Sequence, residues 1–438
     1  MERFKLLANL GIKYLRRYRR RYAFLFAALA FCFAIVTFIT SSKDSMYNNV
    51  YYSAQSHYAG DIIAVGYNRD ENFRHFIGND EVKAILDAVD ACAINPVHII
   101  KRTNYSNSGV VYFNGTPVVQ KYTIGCDWEN EAHLFSKMDF SSPVIGSLQA
   151  DSIIISSPVA DMLNAKNGDV VTLEVTNKYG QKNTGQFKVN GIIQDTSIFG
   201  YFKVYISRIT LNRLRSFDDN ECTVIGFFLK NPSDAQNDRN ILNKELQRRT
   251  QTSALVFNRD DMSRELKEPL EWDGTKIFLI TLPVYLSEVA SLMDAMDILT
   301  YLLYGIMLII ILVSASVTYR LILHERIKEI GVMRSIGFLS GDLKLVLWTE
   351  ILILGFVSII AGFLLSVLFS IAASFISFSW FPSFEIFLRN GALTPLFLPG
   401  TVVLNIVLTL IILILAAVFP ASRASSKNLP SLLSGEPL

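Results

Sequence analysis

The sequence predicts an α-helical membrane protein with four transmembrane helices and a large α+β extracytoplasmic domain between helices 1 and 2. Three observations predict it. The 438 residues are 51% hydrophobic and have a mean hydropathy of +0.32, more apolar than a soluble chain of this length. This excess is gathered in four blocks, one near the N-terminus and three in the last third, each long enough to cross a hydrocarbon core. Between the first two blocks, residues 42–291 have ordinary globular composition and suffice for one large domain or two small ones.

Residues 1–21 form a basic amphipathic segment in which Arg3, Lys5, Lys13, Arg16, Arg17, Arg19, Arg20 and Arg21 face the single acid Glu2. The uncharged run YAFLFAALAFCFAIVTFIT that follows places transmembrane helix 1 at 22–41; at 1.5 Å per residue its apolar part is about 28 Å long. A cleaved signal peptide would have a shorter apolar core and a small-residue cleavage site, so a retained helix is expected. Helix 2 is predicted at 298–319, between Asp297 and Arg320, and helix 3 at 351–376, ahead of the aromatic cluster Phe375–Phe381, which suits the headgroup region. A short extracytoplasmic loop occupies 377–400, and Pro395 and Pro399 delay helix 4 to 401–419, with a stop at Pro420 and a tail over 420–438.

Charge sets the orientation. The loop over 320–350 carries Arg320, Arg326, Lys328, Arg334 and Lys344, and Arg423 and Lys427 follow helix 4, whereas the 377–400 loop has only Arg389. Both termini and the 320–350 loop are therefore expected in the cytoplasm, and residues 42–291 outside.

Within 42–291, Gly60–Gly66 and Val110–Gly125 have strand composition, the latter broken by the turn pair Asn114-Gly115. Asp80–Asp90 places Val82, Ile85, Leu86 and Val89 at helical spacing behind an Asn79/Asp80 cap. Asp151–Val175 reads as strand, short helix, glycine turn and strand, and Phe187–Asp195 as the next strand.

The sequence disfavours several function classes. A net charge of +2 gives no basis for nucleic-acid binding. Cys32, Cys92, Cys126 and Cys222 form no C-x-x-C pair, so zinc or redox chemistry is not expected, and the spacing neither requires nor excludes a disulfide among the last three. His57, His75, His98 and His133 are far apart in sequence, there is no G-x-S-x-G, and His324-Glu325 lacks a second histidine because Lys328 stands there. No phosphate-cradling G-x-x-x-x-G-K-[ST] occurs, so an energy-consuming motor has to be a separate protein.

The most specific segment is Arg320–Gly355. Its first part should continue helix 2 until Gly337 permits a turn, and a second helix should start near Ser340 and lead into helix 3. By itself this could be an amphipathic elbow at the membrane surface. The pattern ER-x-KEIG-x-x-R-x-IG at Glu325–Gly337, with Glu350 at the head of an apolar helix, resembles the signature of FtsX/MacB-type ABC permeases. Pro420-Ala-Ser-Arg423-Ala with Pro430 and Leu433 is similar to the end of that family's last span. Gly168-Asp169 before a strand and Val189-Asn-Gly191-Ile resemble its outer domain.

The resemblance implies a permease subunit in a dimer, homo- or heteromeric, with two cytoplasmic ABC ATPase subunits that hold ATP and Mg; this chain itself would bind no cofactor and catalyse nothing. It further implies an ATPase-coupling loop comprising Glu325, Arg326, Lys328, Glu329, Ile330, Gly331, Arg334, Gly337 and Ser340. ATP-driven closure would then move the outer domains by mechanotransmission, in a bacterial cytoplasmic (inner) membrane. Lipoprotein release of the LolC/LolE kind, or export of a lipophilic or periplasmic cargo with an adaptor or chaperone, is the leading expectation; the alternative is an FtsX-like regulator of a cell-wall hydrolase or a peptide sensor. With no ionisable residue inside a span, cargo and membrane lipids are expected to meet the outer ends of helices 1 and 2, at Ile35, Phe38, Ile298 and Tyr301.

Overall fold

The computed structural model describes residues 13, 17, 19–68, 74–92, 94–194, 199, 202–267, 272, 274–378 and 387–426. Most of the basic segment, positions 379–381 of the aromatic cluster, and Pro430 and Leu433 lie outside them.

The elements in chain order are α1 (Arg19–Tyr58), β1 (Ile62–Asn68), β2 (Arg74–His75), α2 (Asn79–Ala91), β3 (His98–Phe113), β4 (Thr116–Cys126), α3 (Ala132–Phe135), β5 (Phe140–Ser142) and β6 (Ser152–Ser156). There follow α4 (Ser157–Leu163), β7 (Val170–Thr176), β8 (Lys182–Ile193), β9 (Lys203–Ser207), α5 (Arg208–Arg215), β10 (Val224–Phe228), α6 (Ala235–Leu246) and α7 (Arg259–Lys267). The chain continues with β11 (Thr275–Thr281), α8 (Leu282–Tyr285), α9 (Ser287–Glu325), α10 (Ile327–Ser335), α11 (Ser340–Ser374) and α12 (Pro399–Ser426). The chain divides into two compact units. One is helical, drawn from residues up to Tyr47, from Met293–Phe378 and from Ala392 onward; the other comprises Asn48–Leu292 and a short later segment ending at Gly391.

Four helices, α1, α9, α11 and α12, are long and apolar enough to cross a membrane. In the helical unit they pack as lipid-embedded helices do, through small residues and polar links. Ser358, Gly362, Ser366 and Ser370 make a buried small-residue row on α11. A Cβ on Gly362 would lie 2.5 Å from the Ala30 carbonyl oxygen and 3.1 Å from Phe33 Cβ, so only glycine admits α1 this closely. Asn405 Nδ2 donates to Thr40 Oγ1 at 2.9 Å, and Thr401 Oγ1 donates to Asp44 at 2.6 Å.

Several helix boundaries differ from the sequence expectation. Helix α1 has 40 residues, about 60 Å at 1.5 Å per residue, and runs 17 residues beyond Ser41, because Met46, Val50 and Ala54 bury one face of a stretch whose composition is polar. Helix α9 breaks at Arg326 instead of continuing to Gly337. Helix α12 begins at Pro399 and continues through Pro420 to Ser426. A proline in a helix removes the hydrogen bond to the carbonyl four residues back; that carbonyl, of Ala416, accepts the Ser316 hydroxyl at 3.2 Å.

The second unit is built on a mixed sheet in the order β11-β1-β10-β3-β4-β9-β6-β8-β5, with β2 on β1 and β7 bridging β3 and β8. The expected hairpin is present: Asn114 and Gly115 both have positive φ, 48° and 83°, as a two-residue type I′ turn requires. Strand β3 pairs with β10 through its first half and with β4 through its second, so a single sheet carries two apolar cores. One core lies among β6–β9 with α4 and α5, the other among β1, β10 and β11 with α2 and α6. Helix α2 buries Val82, Ile85 and Val89 as expected, but its N-cap is Gly78 rather than Asn79 or Asp80. The end of α1 is fastened to this sheet by Arg102, whose Nη1 donates to the Ser56 and His57 carbonyls at 2.7 and 3.1 Å while Nη2 meets Glu131 at 2.6 Å. Helix-terminal carbonyls left without an intrahelical partner are thereby satisfied. All four cysteines are free thiols.

Candidate functional site

The residues singled out by sequence converge on the turn between α9 and α11. The strongest interaction there was not evident from spacing. Arg326 and Glu350 are 1% and 0% exposed and form a two-pronged ion pair, Nη1 to Oε2 at 2.7 Å and Nη2 to Oε1 at 3.2 Å. Tyr22, at the start of α1, completes the cluster. Its hydroxyl donates to Glu350 Oε2 at 2.8 Å and accepts from Arg326 Nη1 at 3.1 Å. A planar guanidinium suits this bidentate geometry.

Apolar packing encloses the cluster. Tyr319 and Leu323 of α9, Ile327, Ile330 and Met333 of α10, Leu343, Leu347 and Ile351 of α11, and Ala417 and Ala421 of α12 form one buried group. The Tyr319 hydroxyl donates to the Leu347 carbonyl at 2.8 Å. Helix α10 is thus held on its inner face by contacts with three other helices. Gly337, at φ 101°, reverses the chain at the expected position, in a conformation that glycine adopts without strain. Asp342 then accepts the Leu339 N–H at 3.1 Å and starts α11.

Three of the coupling-loop residues inferred from the resemblance therefore do not offer surface: Arg326, Ile330 and Gly331 are buried. Arg326 turns inward because Glu350, itself buried, needs a cation. Glu325, Lys328 and Gly337 are exposed, and Glu329, Arg334 and Ser340 are half-buried. Sequence reasoning left out three exposed apolar residues of the elbow, Val332 on α10 and Ile336 and Leu339 on either side of the Gly337 turn, which are 53%, 72% and 65% exposed. Tyr22 was also missed; a lone acid heading an apolar helix implies a buried partner, but not which one.

Of the residues expected to meet cargo, Ile298 and Tyr301 are exposed on α9, whereas Ile35 and Phe38 are half-buried, Phe38 edge-on to Phe369 at 6.3 Å. Lys43 Nζ lies 5.2 Å from the Tyr301 ring and 3.2 Å from Asp297, and the Tyr47 hydroxyl donates to the Met293 carbonyl at 2.9 Å. These contacts tie α1 to α9 immediately past the predicted spans. In the sheet unit, His98 and His133 stack at 3.7 Å despite their sequence separation. No group of three metal-ligating side chains occurs among the described residues.

Four helices long and apolar enough to cross a membrane, a sheet domain inserted between the first two, and an elbow fixed by a buried ion pair point to a polytopic membrane protein. Residues 301–429, from α9 to the tail of α12, match the family described as FtsX-like permease C-terminal, so this part of the chain is similar to that family. No curated protein matches the chain. Among solved structures, the periplasmic region of MacB from Actinobacillus actinomycetemcomitans is 12% identical, with a TM-score of 0.31 over 54% of this chain and 95% of that one. A domain described as from a permease protein of Porphyromonas gingivalis is 10% identical, with a TM-score of 0.27 over 43% and 80%. Scores this low carry no argument about the fold.

Proposed function

We propose that the chain transmits ATP-driven motion from a cytoplasmic ATPase, docked on α10, to its extracytoplasmic domain, in the service of lipoprotein release or export of a lipophilic or periplasmic cargo. The observation that carries this reading is the elbow. It is fixed inward by the Arg326–Glu350 pair, and Val332, Ile336 and Leu339 are exposed along α10 and its following turn. Exposed apolar side chains beside charged residues suit a groove on a partner, and an element locked on one side moves with what it is locked to. Helices α1 and α9, of 40 and 39 residues, exceed by far the roughly 20 residues that span a bilayer, so each provides a stiff rod reaching beyond the hydrocarbon.

ATP and Mg belong to the partner in this scheme, and the chain is a non-catalytic subunit. Its termini and α10 lie in the cytoplasm of a bacterial inner-membrane protein, with the sheet unit outside. The exposed apolar residues Ile298, Leu302, Ile306, Ile309, Val313 and Val317 along α9 face membrane lipids or the second permease chain. Cargo is handled at the outer ends of the spans, with Ile298 and Tyr301 as the accessible contacts.

Co-expression of the chain with its ATPase tests the docking. Ile336→Asp combined with Leu339→Asp should abolish co-purification of the ATPase while membrane insertion and folding persist. Stoichiometric retention of the ATPase would remove α10 as the docking element.

A further inference from the structure

One level of the helical unit is polar inside, and its polar groups are not satisfied there. Thr37 and Ser41 of α1, Ser366 of α11 and Thr409 of α12 are 0%, 0%, 0% and 1% exposed, and none of their hydroxyl oxygens has a hydrogen-bond partner among the described residues. A buried hydroxyl on a helix can turn back onto a carbonyl of the preceding turn. Those of Thr40, Ser358 and Ser370 do so, donating to Val36, Leu354 and Ser366 at 3.0, 2.8 and 2.9 Å. The four orphans make no such bond, although buried polar atoms are nearly always hydrogen-bonded to protein, water or ligand.

The helix registers bring the four to one level. Helices α1 and α11 run parallel: the Tyr22 hydroxyl meets Glu350, a Cβ on Gly362 would lie 3.1 Å from Phe33 Cβ, and Phe369 is edge-on to Phe38. One turn beyond the Gly362–Phe33 contact, Ser366 therefore stands opposite Thr37. Helix α12 runs antiparallel to α1, with Thr401 bonded to Asp44 and Asn405 to Thr40. Continuing that register by one turn sets Thr409 at the depth of Thr37, while Ser41 adjoins the Asn405–Thr40 bond.

Charge limits what can satisfy these groups. No ionisable residue other than Tyr22 and Cys32 lies in residues 22–42 of α1, and none lies in residues 351–374 of α11 or 399–422 of α12. The nearest along α1, Lys43 and Asp44, are engaged with Asp297 and Thr401. An ion at this level would have no counter-charge, which an apolar surrounding penalises heavily. Water is uncharged, both donates and accepts, and commonly makes two to four bonds when buried. We propose that this level of the bundle binds ordered water, which bridges Thr37 to Ser366 and Thr409, with Ser41 at its edge. Helix α1 is then joined to α11 and α12 there through exchangeable bridges, whereas at its start it is held by the direct bond from Tyr22 to Glu350. Nothing in this inference depends on the ATPase or on the cargo.

Water-edited solid-state NMR of the full chain in perdeuterated lipid bilayers tests it, with methyl-labelled threonine and alanine. The Thr37 and Thr409 signals are assigned by their loss in Thr37→Val and Thr409→Val. Magnetisation from water should reach both methyls nearly as fast as that of Thr116, which is exposed at the start of β4, and far faster than those of Ala315 and Ala417, both 0% exposed in apolar clusters. Denaturant unfolding gives a second reading through its sign. If the hydroxyls had no partner at all, a valine of the same shape would remove the orphaned group and raise the unfolding midpoint. With water bound, Thr37→Val and Thr409→Val should each lower it, Thr37→Ser should stay near the native value, and Thr409→Val should slow the transfer to Thr37. Transfer to Thr37 and Thr409 as slow as to Ala315, or midpoints not lowered by the valine changes, would overturn the assignment.

Discussion

Removing the carboxylate of Glu350 should be among the most destabilising single changes in the helical unit. In Glu350→Ala, Arg326 remains 1% exposed with its charge uncompensated, and the Tyr22 hydroxyl loses its 2.8 Å acceptor. Breaking a buried pair by deleting one partner costs about 3–5 kcal/mol. Arg326→Met should cost a similar amount, because Glu350 then keeps only the tyrosine. Replacing both partners by apolar residues of similar volume, Arg326→Met with Glu350→Leu, leaves no orphaned charge and should restore stability to within about 1 kcal/mol of the native chain. The coupling energy from this double-mutant cycle should therefore approach in magnitude the sum of the two single costs. The assay is reversible denaturant unfolding of the purified chain in mixed micelles, followed by tryptophan fluorescence; Trp348 lies two residues from Glu350. Single variants that each lose less than about 1 kcal/mol, or a double variant as unstable as the sum of the singles, would refute the reasoning.

Two further predictions concern other parts of the chain. Hydrogen bonding from Arg389, at 2.8 Å to each oxygen, is the main cause that holds the Asp139 carboxyl below its ordinary pKa. The contribution of this pair to stability is therefore full above the unfolded carboxylate pKa of about 3.9 and is lost as pH falls through the lower folded value. In thermal unfolding, Asp139→Asn should lower Tm slightly at neutral pH, the more so at low salt, and the difference from the native chain should vanish in acid; a difference unchanged by pH would contradict the assignment. At Gly337, φ is 101° and the N–H donates to the Arg334 carbonyl at 3.1 Å. Gly337→Ala should cost about 1 kcal/mol through backbone strain. Gly337→Pro, which also deletes the donor, should uncouple ATP hydrolysis from transport in reconstituted vesicles, and coupled activity at the native level would contradict this.

Much of the architecture was legible because it rests on local chemistry. Asn114-Gly115 marks a turn because both central residues need positive φ. Val82, Ile85 and Val89 fix the inner face of α2 through spacing alone. The features that escaped depend on partners remote in sequence. Residues 42–58 read as lying outside helix 1 because their composition is polar, yet Val50 and Ala54 bury one face and Arg102, 46 residues from Ser56, holds the terminal carbonyls. Pro420 reads as a stop, but Ser316 from another helix satisfies the carbonyl it frees. Arg326 looked like surface charge in a charged motif. Its direction is decided by Glu350 and Tyr22, which lie 24 and 304 residues away. Single-sequence reasoning has no access to such pairings, and the candidate site consists largely of them.

The central claim is that ATP binding by a partner ATPase docked at α10 is converted into movement of the sheet unit. Spin labels introduced at Val119 in the sheet unit and at Phe356 on α11, both 58% exposed, allow their separation to be measured by double electron–electron resonance in the reconstituted permease–ATPase complex. The account predicts distinct distance distributions in the nucleotide-free and ATP-trapped states, and loss of that difference with Gly337→Pro. One distribution shared by both states, in a complex that still hydrolyses ATP and transports its cargo, would contradict it.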